Sequence, residues 1–250
     1  MKQLLAGKVA LVTGATSGIG QQTARLFAQE GAQLVVTGRR EDALVSLCQE
    51  LTSLGADCRY LAGDAGSVAF AQTLFCFALQ QFQRVDILVC SAGMALRTPT
   101  LDMSVSEWDQ VMAVNLTFPM RLSQLATQQF LKQGSGKIVM IASTAAKNVN
   151  LGASPSYGAS KAGMVYLTRH LAAEFGGRGV YANAICPGPV DTEITQTWTP
   201  EHRQKVLQSL PLGRMGTPED IANCALFLAS SMSDYINGES ILVNGGRYMG

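Results

Sequence analysis

The amino-acid sequence predicts an α/β fold in which helices cover both faces of one doubly wound, parallel sheet of seven strands. Short β-branched runs alternate with helix-length amphipathic segments along nearly all of the 250 residues. Several of these runs are continuously apolar, which is typical of parallel strands that are covered on both faces. No linker rich in Pro, Gly or Ser and no block of charge divides the chain, so we expect a single domain over residues 1–250.

The elements follow one another in a regular order. The helices begin at recognisable caps: Ser104 and Glu107 have the spacing of a capping box, and Thr217 precedes a proline and two acids. The least regular stretch, at about 188–216, follows the sixth predicted strand. Ligands bind beyond the carboxyl ends of such strands, so we expect this stretch to be a lid over a substrate. The predicted strands are Val9–Thr13, Gln33–Thr37, Asp57–Ala62, Asp86–Cys90, Lys137–Ile141, Tyr181–Ile185 and Ser240–Val243.

Composition narrows the class of protein. Hydrophobic residues make up 47% and charged residues 15%, which is typical of a well-buried globular protein. A net charge of +1 gives no electrostatic reason to expect nucleic acid or an anionic membrane surface as a partner. The segment before the first strand is too short for a signal peptide, and no apolar run reaches the roughly 18 residues of a membrane helix. We therefore expect a soluble, cytoplasmic protein.

The six cysteines are scattered, with no C-x-x-C pair and no histidine at ligand spacing. We interpret them as small buried hydrophobic residues in a reducing compartment, with neither disulfides nor a metal site. They are Cys48, Cys58, Cys76, Cys90, Cys186 and Cys224.

A tyrosine and a lysine, Tyr157 and Lys161, are four residues apart in a predicted helix and therefore share one face. A nearby cation favours the phenolate, so we expect the pKa of Tyr157 to lie below its usual value of about 10. Such a phenol could donate a proton to a carbonyl oxygen near neutral pH. Taken alone, the same spacing also fits a surface tyrosine beside a solvated lysine.

A glycine-rich turn follows the first predicted strand. It reads Gly14-Ala15-Thr16-Ser17-Gly18-Ile19-Gly20 and leads into a helix. Glycines let the backbone approach a pyrophosphate closely, and the helix directs its free N–H groups at the phosphates. The spacing is a relative of the usual dinucleotide fingerprint, so we expect a dinucleotide site here.

The second strand ends at Gly38, followed by Arg39 and Arg40. An acidic residue at this tip would bind the ribose hydroxyl of NAD, whereas a guanidinium suits the 2′-phosphate of NADP. Glu41 and Asp42 could supply the ribose acid, but we interpret them as first-turn acids of the next helix. The sequence therefore predicts NADP(H), with NAD(H) as the second choice.

With these motifs the chain resembles the short-chain dehydrogenase/reductase family in its compact, single-domain form, which implies a Rossmann-type sheet. Where that family has two asparagines after the fourth strand, this chain has Cys90 and Ser91. The family's motifs match here at Thr13 to Gly20, at Asp64 and Ala65, at Ala92 and Gly93, at Asn115, at Ser143, at Tyr157 and Lys161, and at Pro187 and Gly188 with Val190 and Thr192.

The resemblance implies a role for each of these residues. Ser143 would hold the substrate carbonyl, Tyr157 would donate the proton, and Lys161 would bind the nicotinamide ribose. Asn115 would hold a water that connects Lys161 to solvent; from the residues alone, it could instead bond to backbone where Pro119 interrupts the helix. The resemblance also implies a cofactor site made of Gly14, Thr16, Ser17, Gly18, Ile19, Gly20, Arg39, Arg40, Asp64, Ala65, Ala92, Gly93, Asn115, Tyr157, Lys161, Pro187, Gly188, Val190 and Thr192.

The activity implied is reversible, NADPH-dependent reduction of a ketone to a secondary alcohol. The segments Gly213–Ala222 and Val243–Gly246 are similar to those of 3-oxoacyl-[acyl-carrier-protein] reductases, so the substrate could be a 3-oxoacyl thioester, with an acyl carrier protein as a possible partner. A dehydrogenase of a sugar, polyol or steroid alcohol is the alternative, and a non-catalytic dinucleotide sensor or scaffold is another. Family members commonly form homotetramers, and we expect one here.

Overall fold

The computed structural model describes residues 3–250, apart from the side chain of residue 194, and contains one seven-stranded parallel sheet. The strand order is β3-β2-β1-β4-β5-β6-β7, so the winding direction reverses between β1 and β4. All seven predicted strands are confirmed. Their bounds are β1 Val9–Thr13, β2 Gln33–Gly38, β3 Cys58–Ala62, β4 Ile87–Cys90, β5 Gly136–Ile141, β6 Val180–Pro187 and β7 Ser240–Val243.

Both predicted N-terminal capping patterns are confirmed. The side chains of Ser104 and Thr217 each accept a hydrogen bond from the backbone N–H three residues on, and the carboxylate of that residue accepts one from the backbone N–H of the cap. The predicted lid is more regular than expected, since it contains two short helices. The helices are α1 Gly18–Gln29, α2 Glu41–Ser53, α3 Val68–Phe82, α4 Val105–Met112, α5 Phe118–Gln133, α6 Pro155–Phe175, α7 Glu193–Gln196, α8 Pro200–Gln208 and α9 Pro218–Ala229.

Each face of the sheet has its own apolar cluster. Along β1, Ala10 and Val12 belong to one cluster and Leu11 to the other, because successive side chains point to opposite faces. The first cluster includes residues of α1, α2 and α9, and the second includes residues of α3, α5 and α6. All five β1 residues are buried, which explains why this strand is continuously apolar.

The cysteine prediction is wrong at one pair. Cys48 on α2 and Cys58 on β3 form a disulfide, with Cα atoms 5.3 Å apart. The nine residues between them let the chain leave α2 and return beside it as β3, a packing contact that no cysteine spacing indicates. Cys76 is exposed, contrary to the expectation that all six are buried. The cysteine argument for a reducing compartment therefore no longer holds.

The described residues contain no helix that is both long and apolar enough to cross a membrane.

Candidate active site

A cleft of about 1360 Å³ runs along the carboxyl-end edge of the sheet. It opens where the strand order reverses, which is where open α/β sheets bind ligands. With the exception of Asn115, all the residues predicted for the site line it, from Gly14 on the β1 turn to Thr192 beyond β6. The structure thus brings together residues that are up to 178 positions apart in the sequence, as the span from 14 to 192 shows.

The glycine turn at one end of the cleft leaves no room for side chains. Gly14 has a φ of +68°, and a Cβ there would lie 2.7 Å from the backbone nitrogen of Ala92. A Cβ on Gly20 would collide with the carbonyl oxygen of Gly14. The N-cap of α1, Ser17, makes no side-chain hydrogen bond to the first turn, so the N–H groups there are available to an anion.

Thr13 positions this turn against the β4 loop, a role that the sequence did not reveal. Its Oγ1 accepts hydrogen bonds from the backbone nitrogens of Ser91 and Ala92, at 3.1 and 3.0 Å. The family that the sequence resembles has two asparagines in this loop, and this chain has Cys90 and Ser91 in their place. Here the Thr13 side chain, on the neighbouring strand, is one group that holds the loop. Thr13 is a polar residue at the end of an otherwise apolar strand, and this is the sequence feature that could have indicated its role.

Gly14→Ala tests whether the close approach of Gly14 to Ala92 matters. We expect a loss of about 2–4 kcal/mol in the free energy of unfolding and a loss of dinucleotide binding. Gly134→Ala is the matched control, since Gly134 has a φ of +77° but nothing within 4 Å of the added Cβ. The control should cost about 1 kcal/mol from backbone strain alone. Equal losses in urea unfolding of the two variants would show that the approach to Ala92 is unimportant.

The two arginines after β2 have different environments. Arg39 is exposed and has no hydrogen-bond or ion-pair partner within residues 3–250. Arg40 donates to the carbonyl oxygen of Thr16 at 3.1 Å and forms an ion pair with Glu193 at 3.3 Å. Glu41 and Asp42 are first-turn acids of α2, as predicted. Only Arg39 is therefore free to receive a phosphate at this end of the cleft.

Tyr157 and Lys161 share one face of α6, as predicted. The Nζ of Lys161 lies 5.8 Å from the centre of the Tyr157 ring and donates to the carbonyl oxygen of Ile141 at 2.8 Å. Lys161 is almost completely buried, with 5% of its surface exposed, whereas Tyr157 is half-buried on the cleft wall. Ser154 caps α6 and fixes the direction in which this first turn enters the site.

The expectation of a lowered pKa at Tyr157 is wrong in this structure. Burial raises the pKa of Tyr157, and the hydrogen bond with Ser143 only partly offsets this. Burial also lowers the pKa of Lys161 to about 8, against the opposing influence of the Cys186 and Cys90 thiols. Desolvation is the largest influence on the phenol, so it decides the direction of the pKa change at Tyr157.

Ser143 follows β5 at the start of a 3-10 turn, Thr144–Ala146. Its Oγ accepts a hydrogen bond from the backbone nitrogen of Ala145 at 3.1 Å, which fixes the hydroxyl on the cleft wall. Burial raises the pKa of Tyr157 and the Ser143 hydroxyl partly lowers it, so the two hydroxyl groups are neighbours on the cleft wall. Together they can hold one carbonyl oxygen and give it a proton.

Asn115 lies behind the cleft, in a π-helical turn between α4 and α5. Its Oδ1 accepts from the backbone nitrogen of Met94 at 2.8 Å, and its Nδ2 donates to Met94 O at 2.9 Å and to the Ser160 Oγ at 3.1 Å. Asn115 does bond to backbone, the alternative role considered for it, but the partner is the β4 loop and not its own helix; its role in holding a water stays a prediction. Asn115 thus fastens that loop to α6.

The predicted lid is closed at its base and lies against the glycine turn. Asp191 N donates to Gly216 O at 2.8 Å, and Gly216 N donates to Pro189 O at 3.0 Å, so the two ends of the segment are joined. The methyl group of Thr192 would lie 3.3 Å from a Cβ on Gly18. With the Arg40–Glu193 pair, this puts the start of the segment over the phosphate end of the cleft.

Comparisons with known proteins agree with this geometry. A family model described as enoyl-(acyl carrier protein) reductase matches residues 14–247. A 3-oxoacyl-[acyl-carrier-protein] reductase from Aquifex aeolicus is 35% identical, over 99% of this chain and all of its own length. A candidate NAD(P)-dependent gluconate 5-dehydrogenase from Beutenbergia cavernae, solved with NADP at low occupancy, is 36% identical with a TM-score of 0.93, covering 99% of both chains. A 7α-hydroxysteroid dehydrogenase in complex with NADH and 7-oxoglycochenodeoxycholic acid is 36% identical with a TM-score of 0.94, covering 98% of this chain and 96% of its own.

Proposed function

The chain belongs to the short-chain dehydrogenase/reductase family of oxidoreductases, and on that premise we propose that it reduces a ketone to a secondary alcohol with NADPH. One observation carries the proposal: Ser143, Tyr157 and Lys161 gather on the wall of the cleft whose other end is the glycine turn. All three are the residue types that carbonyl reduction requires. A dinucleotide sensor without chemistry would not need them together.

The residues present fit a dinucleotide. A Cβ on Gly14 or Gly20 would collide with neighbouring backbone, so this tight turn requires glycine at both positions. The uncapped first turn of α1 offers N–H groups to phosphate. Arg39 is a free cation at the tip of β2, where a 2′-phosphate would be read. These features support NADP(H) over NAD(H), although relatives that bind either nucleotide have been solved.

In the proposed reaction the cofactor, when bound, supplies the hydride. The Ser143 and Tyr157 hydroxyls hold the carbonyl oxygen between them, and Tyr157 transfers its proton to that oxygen. Burial raises the pKa of Tyr157, so the phenol carries the proton that the reduction needs. Lys161 stays close enough to stabilise the phenolate that results. We propose that the segment at 188–216 acts as the lid that excludes water.

The structure favours a free small molecule over a carrier-bound substrate. An acyl carrier protein is acidic and would need basic residues at the rim of the cleft. Lys132 and Arg178 come just before β5 and β6 and lie at the amino-end edge of the sheet, opposite the cleft. Arg178 also stacks on Phe175 at 4.8 Å. Neither residue lines the cleft. A sugar, polyol or steroid alcohol could use the same machinery in reverse, and a homotetramer stays our proposal for the assembly.

Turnover with a panel of ketones, 3-oxoacyl thioesters and ketoses, followed by NADPH absorbance, tests the activity directly. We expect NADPH consumption with at least one ketone and none when the carbonyl is replaced by an alcohol. Enzyme that binds NADPH and consumes none with any of the panel would contradict the reductase proposal.

Arg39→Ala tests the choice of nucleotide. We expect NADPH to bind about 10- to 100-fold more weakly, because one charge-assisted contact to phosphate is lost, and NADH affinity to be unchanged. Protein fluorescence during titration with each nucleotide measures both. Arg59→Ala is the control, since Arg59 is an arginine outside the cleft that pairs with Asp57. If Arg39→Ala kept full NADPH affinity and NADH bound equally well, the NADP(H) assignment would be wrong.

A further inference from the structure

We propose that the substrate is a ketone with an apolar body and an anionic group, which Arg97 and Arg247 bind at the substrate end of the cleft. The inference rests on the proposed function and names the substrate class for that same site. Both arginines line the cleft, and both are exposed.

The fold brings each arginine to the cleft from a different direction. Arg97 follows Leu96, whose carbonyl oxygen accepts from the backbone nitrogen of Ser154 at 2.8 Å. Ser154 is the N-cap of the helix that carries Tyr157, so Arg97 is anchored close to the catalytic turn. The backbone next to Arg97 is thus held against the first turn of the helix that carries Tyr157.

Arg247 comes from the turn after β7. That turn is held to the end of the lid by a hydrogen bond from Leu212 N to Gly245 O at 3.2 Å. It is also held to the loop after β6, because Gly188 N donates to Val243 O at 3.0 Å. The backbone that carries Arg247 is therefore braced against both the lid and the Pro187–Gly188 loop.

Neither arginine has a carboxylate partner among the residues that the structure describes. Six of the twelve arginines in the sequence form ion pairs, whereas Arg97 and Arg247, like Arg39, line the cleft without one among the described residues. Those pairs are Arg25–Glu50, Arg40–Glu193, Arg59–Asp57, Arg84–Asp86, Arg203–Asp191 and Arg214–Asp220.

Three carboxylates close to these segments are already engaged, whereas Asp102, five positions from Arg97, is exposed and forms no ion pair with it. Glu107 accepts from Thr98 at 2.9 Å and from the N-cap residue Ser104. On the lid side, Asp191 is bound by Arg203 and Glu193 by Arg40. Two guanidinium groups that face a cleft without a counter-ion are suited to a ligand that brings its own negative charge.

The other side chains of the substrate end define the body of the ligand. Leu96, Val114, Leu151 and Trp198 line the same cleft and are apolar, while Asn150 is a neutral polar group. Among the described residues, the carboxylates that line the cleft are Asp64, which accepts from Gly66 N, and Glu193, which pairs with Arg40, so neither is free for the hydroxyls of a sugar. An apolar ketone that ends in a carboxylate, or in a phosphate such as a thioester cofactor carries, fits this wall better than a neutral polyol.

The test compares pairs of substrates that differ only in charge. 6-Oxoheptanoate is compared with its methyl ester, and 3-oxobutyryl coenzyme A with the neutral N-acetylcysteamine thioester. We expect kcat/KM to be about tenfold or more higher for the charged member of at least one pair. A preference confined to 6-oxoheptanoate identifies a carboxylate substrate, and one confined to the coenzyme A thioester identifies phosphate.

The double variant Arg97→Gln, Arg247→Gln should bring that ratio close to one, chiefly through a higher KM for the charged substrate. Arg59→Gln, which removes a charge outside the cleft, should keep the wild-type ratio. A ratio that is the same in wild type and in the double variant would overturn the inference and leave the reductase function standing.

A binding measurement keeps the two proposals separate. Heptanoate and inorganic phosphate, which have no ketone, are titrated into the wild-type protein and the double variant by calorimetry. We expect wild type to bind at least one of the two anions and the double variant to bind it about tenfold more weakly. If no ketone is reduced but this difference is found, the anion site stands and the proposed reaction fails; if neither anion distinguishes the two proteins, the anion site is wrong.

Discussion

Tyr157→Phe should lower kcat by about 10³-fold or more while changing NADPH affinity by less than about fivefold. The substitution removes only the hydroxyl that gives its proton to the carbonyl oxygen, and phenylalanine keeps the ring that packs beside Lys161. The groups that fit phosphate lie at the other end of the cleft, on the glycine turn and at Arg39. Binding and chemistry should therefore separate in this variant.

Tyr166→Phe is the matched control. Tyr166 lies on the same helix but is 69% exposed and outside the cleft, so its loss of a hydroxyl should leave turnover unchanged. Steady-state kinetics and fluorescence titration with NADPH provide the two readouts. If Tyr157→Phe turned over at a tenth of the wild-type rate or faster, proton donation by this residue would have to be abandoned.

Lys161→Met should abolish activity and, at the same time, stabilise the cofactor-free protein at pH 7. Burial lowers the pKa of Lys161 from 10.5 to about 8, which corresponds to a cost of about 3 kcal/mol for keeping the ammonium in the interior. The variant also loses the hydrogen bond to the carbonyl oxygen of Ile141, which lowers its stability by about 1 kcal/mol. We therefore expect the free energy of unfolding to rise by about 2 kcal/mol.

The pH dependence of that difference has a definite sign. Between pH 8 and 10.5 the unfolded chain binds more protons at this lysine than the folded protein does, so wild-type stability rises with pH relative to the variant. The advantage of methionine is complete below about pH 8 and disappears as the pH approaches 10.5. Urea unfolding at pH 7 and pH 10 measures it, with the exposed Lys8→Met as control. A variant less stable than wild type at pH 7 would refute the burial cost.

The strands could be predicted because most of them are buried on both faces. Val9–Thr13 and Ser240–Val243 match the structure residue for residue, and the end of the second strand differs by one position. The Cys48–Cys58 pair could not be predicted, since it depends on how α2 packs beside β3 and not on any local pattern. The π-helical turn at Ala113–Thr117 was missed for a similar reason: the partners that hold Asn115 are Met94 and Ser160, which lie on other elements.

In the site, the sequence predicts which side chains come together better than it predicts how burial changes their pKa values. The Tyr157–Lys161 spacing places both groups on one face, but only the folded structure shows that desolvation, and not the neighbouring charge, decides the direction of the pKa change at Tyr157. Arg39 and Arg40 are adjacent, and the sequence alone indicates the same role for both, as cations suited to a 2′-phosphate. Their difference comes from Glu193, which is 153 positions away from Arg40 in the sequence and contacts it only through the folded arrangement of the chain.

The strand order also governs how the protein must assemble. The central strand β1 pairs with β4, although β2 and β3 lie between them in the sequence. The middle of the sheet can therefore close only after β2 and β3 have been synthesised. The loop at Pro187–Gly188 is held by the end of β7, where a Cβ on Gly188 would lie 2.8 Å from the Cβ of Asn244. The glycine turn and Arg39, at the phosphate end of the cleft, are therefore synthesised long before the strand that supports the Pro187–Gly188 loop.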